Sequence, residues 1–132
     1  MSEEELKKQA IDMFTGNKEE ILSNQLKRMD GWFDLSEGDI VLSGKIQELD
    51  KGRKYLSYLL AAYVANFIEK RKSSFVSHTD INEYFGWEDG RTSSEYVCDY
   101  SGLLNRERGE ASIKISQMKE IIDIIEEKLK EE

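Results

Sequence analysis

At 132 residues the chain has room for one domain with a real core, whereas two independent cores would each be marginal. Charged side chains make up 35% and apolar ones 39%, the balance of a globular protein rather than a disordered segment. A net charge of −8 works against indiscriminate attraction to phosphate backbones, because an acidic surface repels them over a Debye length, roughly 8 Å in physiological salt.

The first predicted element is a short amphipathic helix. Ser2 with Glu5 forms a capping box, Leu6, Ala10, Met13 and Phe14 recur at helical spacing, and Gly16 closes the segment. Asn17 with Glu20 repeats the start signal, and Ile21, Leu22, Leu26 and Met29 trace a second stripe that stops at Gly31. Residues 1–31 therefore read as an N-terminal helical extension, and 32–132 as the main domain. From Trp32 the period changes: Trp32–Leu35, a polar turn at Ser36–Asp39, then Ile40, Val41 and Leu42 predict a small β-hairpin.

Asp50 is placed to cap a central helix over 52–72. Its Tyr55, Leu56, Leu59, Leu60, Tyr63, Val64, Phe67 and Ile68 fill a face wider than a surface helix needs. Phe75-Val76 predicts a short strand, and Thr79 caps a brief helix with Ile81, Tyr84 and Phe85 inside, ended by Gly86. After a turn at Glu88-Asp89-Gly90, Thr92 with Glu95 opens a helix burying Tyr96 or Val97, Tyr100, Leu103 and Leu104. Asn105–Glu110 is a charged loop, and Ala111, Ile113 and Ile115 alternate as a strand would. A final helix from Ser116 carries Met118, Ile121, Ile122, Ile124, Ile125 and Leu129 at spacings of three and four, close to a heptad seam.

Taken from 52 to 130, the order is helix, strand, helix, turn, helix, strand, charged turn, strand, helix. That order resembles the winged helix-turn-helix superfamily, with Thr79–Gly86 as the positioning helix and Thr92–Leu104 as the recognition helix. The run Gly102–Glu110 followed by Ile113-Lys114-Ile115 looks like a recognition-helix end entering a wing hairpin. The block from Asp34 through the central helix is similar to small archaeal winged-helix proteins of unassigned function. The implied fold class is α+β and mostly helical: a winged helix-turn-helix domain with an N-terminal helical extension and a small β-hairpin. Two features depart from the family pattern. The turn Trp87–Arg91 is long, and the recognition helix carries Glu95 and Asp99 with no basic residue after Arg91, where base readers present Arg, Lys, Asn or Gln.

The resemblance implies a DNA-binding transcriptional regulator. Residues 51–78 carry six basic and one acidic side chain, the only basic block of the chain. Candidate DNA contacts are Lys70, Arg71 and Lys72 on the backbone, Arg91, Thr92, Ser93 and Ser94 at the recognition-helix N-terminus, and Arg106 and Arg108 on the wing. The bland alternative, solvated charges and a helix cap, stands at even weight beside it, given the acidic neighbours.

The other reading is a protein-interaction module on the same scaffold, with the acidic flanks as its surface and a homodimer through the C-terminal helix as one form. A lone amphipathic helix more often completes its own core. The N-terminal helix pair could be a docking arm or a lid. An enzyme is the least favoured class. His78, the only histidine, suits a cap or packing role, Cys98 is expected on the inner side of its helix as an inert core thiol, and the aromatic residues are expected mostly in the core. No Gly-rich phosphate loop, paired Cys or His ligands or nucleophile elbow is present, so no cofactor or metal is implied. The apolar run from Leu56 to Phe67 is broken by Ser57 and Asn66 and falls short of a bilayer span, and the start Met1–Glu5 lacks the basic opening of a secretory leader. With a single cysteine, a cytoplasmic location and no membrane partner are expected.

Overall fold

The computed structural model describes residues 2–15, 18–37, 39–87 and 92–130, with backbone alone at 11–15, 18 and 92–94. Helix α1, Glu3–Thr15, opens on the expected cap, Ser2 Oγ accepting from Glu5 N at 3.1 Å. Helix α2, Lys18–Leu26, runs into a 3-10 turn at Lys27–Met29. The Gly16 stop and the Asn17 cap lie outside the described residues. Gly31, at φ +78°, then redirects the chain into strand β1, Phe33–Asp34, which pairs antiparallel with β2, Val41–Leu42. The hairpin alternates as its sequence requires: Leu42 is buried and Val41 exposed.

A short helix α3, Gly44–Gln47, follows, which periodicity did not signal; its Ile46 is fully buried, and Gln47 Nε2 donates to Leu42 O at 2.7 Å. Asp50 caps helix α4, Lys51–Phe67, accepting from Arg53 N at 3.2 Å. From Tyr55 to Ala65 every side chain of α4 is buried, so the helix is enclosed on all sides. The helix ends five residues before the expected 72. Glu69 takes φ +64°, Glu69 N donates to Asn66 O and Lys70 N to Ala65 O, closing the helix with a Schellman pattern that usually recruits glycine. Phe67 and Ile68, expected on the core face, lie at this end and are 46% and 48% exposed.

Strand β3, Val76–Ser77, leads directly into α5, His78–Phe85. The cap is Ser77 rather than Thr79: Ser77 Oγ accepts from Asp80 N at 3.1 Å, since Ser77 is the last extended residue. Helix α6, Thr92–Asp99, gives way to a 3-10 turn at Ser101–Leu103. Leu104 thus leaves the helix and begins strand β4, Leu104–Glu107, so most of the expected charged loop is strand. Strand β5, Glu110–Ile113, sits between β3 and β4, all antiparallel, with Val76 and Arg106 both opposite Ala111 and Leu104 opposite Ile113. Ile115 belongs to a 3-10 turn, and helix α7 starts at Met118 and runs to Leu129.

Among the described residues this is an α+β fold of seven α-helices and two small antiparallel sheets around one core that reaches from Leu22 to Ile125. Helix α7 packs on α4 and α2 through Met118, Ile121, Ile122 and Ile125, all fully buried. The two helices α4 and α7 run antiparallel: Arg53, in the first turn of α4, donates from Nε to Ile124 O at 2.8 Å and lies 3.9 Å from Glu127. Arg28 fastens the end of α2 to the same region of α7, donating to Asp123 and Glu126. No helix among the described residues is long and apolar enough to cross a membrane.

Candidate nucleic-acid interface

Helices α5 and α6 pack on each other and on α4 through aromatic rings. Tyr58 of α4 lies 4.8 Å from Tyr84, Phe85 stacks on Trp87 at 4.7 Å, Trp87 meets Tyr96 at 6.0 Å, and Tyr96 stacks on Tyr100 at 6.4 Å. Such offset and tilted pairs contribute roughly 0.5–1.5 kcal/mol each beyond the area they bury. Lys51 and Lys54 place their ammonium groups 5.8 Å and 5.6 Å from the Trp87 and Phe85 rings. These rings hold the two helices at a fixed angle; the aromatic residues are packing material, with their edges partly open. Leu42 N donates to Tyr84 Oη at 2.9 Å, so the N-terminal hairpin is tied to α5.

The β4–β5 hairpin projects beside this pair. Its turn, with Gly109 at φ +74°, is held against α5 because His78 N donates to Gly109 O at 3.0 Å. Arg106 and Arg108 are exposed, and among the described residues neither has an ion-pair partner. Glu107 faces Glu110 across the ladder, so two carboxylates and two guanidinium groups alternate along the hairpin tip. Burial, and then the positive charge of Arg106, push the His78 imidazole below its ordinary pKa. His78 thus sits at the helix start in a partly buried place, as expected, and is electrostatically coupled to the hairpin.

The three residues after α4 divide. Arg71 turns back onto its own loop, Nε donating to Ser73 O at 2.9 Å and Nη2 to Phe75 O at 3.0 Å, while Asn66 Nδ2 donates to Arg71 O. That guanidinium is occupied in holding the loop. Lys70 and Lys72 are exposed. The loop is tied to the sheet by Ser112 Oγ and Ser74 Oγ at 2.9 Å. By the strand register, Ser112 lies on the face opposite the one that carries Arg106 and Leu104. The structure therefore brings Arg106 and Arg108 together on one hairpin and ties the Lys70–Lys72 segment to the other side of the sheet.

Arg91 lies outside the described residues, as do the side chains of Thr92, Ser93 and Ser94, whose backbone forms the first turn of α6. Farther along, Glu95, Cys98 and Asp99 are exposed at spacings of three and four, which makes the outer face of α6 acidic. Cys98 is therefore a surface thiol, not the expected core one: Val97 takes the inward position at 2% exposure, and a helix cannot turn two successive side chains the same way. Sequence reasoning also missed the exposed Phe67 and Ile68; the available signal was the charged run Glu69–Lys72 directly behind them.

Compared with protein-family models, with curated proteins and with solved structures, the chain matches none of them.

Proposed function

We propose that the chain is a winged-helix DNA-binding regulator that grips the duplex backbone through its β4–β5 hairpin. The observation that carries this reading is a β-hairpin with Arg106 and Arg108 exposed and, among the described residues, in no ion pair, standing beside a two-helix unit. The order α4, β3, α5, α6, β4, β5, α7, with β3 joined to the hairpin in one sheet, supports the winged-helix reading. Exposed arginines on a hairpin suit phosphate contact, and backbone N–H groups in the first turn of α6 supply further candidate donors. The acidic outer face of α6 argues for orientation by the wing, with little direct base reading.

Fluorescence anisotropy on a labelled mixed-sequence duplex tests it. Binding is expected at about 50 mM salt and lost by about 200 mM, and Arg106→Ala/Arg108→Ala lowers the slope of log K against log salt by about 2. No binding at low salt overturns the reading.

The same acidic face, Glu95 with Asp99, favours a second reading, a protein-interaction module whose partner is basic. Glu95→Lys/Asp99→Lys separates the two: it tightens duplex binding if DNA is the ligand and leaves it absent if a protein is.

A further inference from the structure

We infer that the chain forms a two-fold dimer in which helix α1 of each copy docks on the end of α4 of the other. Every described side chain of α1, Glu3 to Ala10, is exposed, Leu6 at 52%, and its first turn is Glu3-Glu4-Glu5. Leu6 and Ala10, four residues apart, give this helix an apolar stripe that its own chain leaves uncovered. The complementary surface is at the end of α4: Phe67 and Ile68, each about half exposed, beside the exposed ammonium groups of Lys70 and Lys72. A shallow depression of 470 Å³ between Asn66, Glu69 and Lys72 adjoins them. Glu4 and Glu5 of the acidic first turn complement Lys70 and Lys72, and Leu6 and Ala10 complement Phe67 and Ile68, while Glu3 is paired with Lys7 at 3.8 Å within α1.

Their placement fits exchange. Helix α4 is antiparallel to α7, and α2 runs along α7 from the turn at Ile115–Gln117 toward Asp123 and Glu126, where Arg28 is bound. The start of α2 therefore lies at the end of the molecule where α4 stops. Helix α1, 13 residues and about 20 Å long, leaves from that same end. A two-fold axis there lets each arm cover the other copy's patch in one closed contact, rather than the open chain that a one-way contact would build. Lys70 and Lys72 on this reading face a partner copy and not a phosphate.

Sedimentation velocity of the full chain tests it. A dimer is expected at tens of micromolar, weakening as salt rises. Phe67→Ser/Ile68→Ser, surface changes whose folding is checked by circular dichroism, raises the dissociation constant about tenfold or more, and so does Lys70→Glu/Lys72→Glu. Adding Glu3→Lys/Glu4→Lys to the second variant restores the dimer. A wild-type monomer up to several hundred micromolar overturns the proposal, as does a dimer that survives both patch variants. A charge swap that fails to rescue does the same. Duplex binding is read separately through the wing variants, so neither result decides the other.

Discussion

Glu69 shows how a single backbone angle costs stability. A non-glycine residue at φ +64° costs about 1–2 kcal/mol, because Cβ crowds the carbonyl oxygen, and the Schellman closure of α4 holds it there. Glu69→Gly is expected to stabilise the fold by roughly 0.5–1 kcal/mol after the entropy of a freer unfolded chain is deducted, raising Tm by roughly 2–5 °C in a thermal melt. Gly52 is the converse case. A Cβ there would stand 2.5 Å from Tyr100 Oη, so Gly52→Ala must displace that ring and gains nothing. In a Tyr100→Phe background the clash is gone, and the same change is expected to stabilise by about 0.5–1 kcal/mol through helix propensity. Denaturant titration of the four proteins of this cycle reads the difference. Neither site was legible in the sequence, which put Gly52 at the start and Glu69 in the last turn of a helix over 52–72, because close approach and a left-handed turn are tertiary facts.

At the scale of elements, one guanidinium adds a polar fastening to the apolar docking of α2 through Leu22. Arg28 donates to Asp123, Glu126 and Gln25, and these bonds hold both carboxyls below their ordinary pKa range. Folded values that are depressed mean that the stabilisation is complete above the normal carboxylate range and is lost as pH falls through the lowered values. Asp123 is nearly half exposed, so the effect is screened and modest. Acidification below about pH 4 is expected to raise amide exchange in α2 before α4, and Arg28→Ala should make α2 exchange equally fast at neutral pH. Periodicity announced the existence of these helices well, since Leu22, Tyr55, Ile81 and Ile122 lie at 0–1% exposure where the stripes put them. It failed at the boundaries. Leu104 and Ile115 are apolar on either side of a strand–helix junction, and an apolar side chain satisfies both periods there. The arginine fastenings, being long-range, carried no local signal.

The described residues share one core, and its buried face includes the stripe of α7 that the sequence offered as a dimer seam. With Ile121, Ile122 and Ile125 fully buried inside the chain, a dimer built through them would have to open that core. Ile122→Ala is expected to cost about 2–5 kcal/mol in urea unfolding and to leave the association state of the folded protein unchanged. The candidate interface was only half legible. Arg106 and Arg108 fall on one exposed hairpin where the turn and strand signals that bracket them put them. The use of Arg71 on its own loop carbonyls was not, because a guanidinium looks the same in sequence whether it faces solvent or a backbone.

The enclosure of α4 has a further consequence, for synthesis. This helix leaves the ribosome in mid-chain, while β5 and α7, which cover it, are encoded more than forty residues later. At roughly 5–20 residues per second the nascent chain carries Leu56, Leu59 and Leu60 bare for several seconds. A chain interrupted between Phe67 and Glu110 would lack both covers and keep that apolar face open to association.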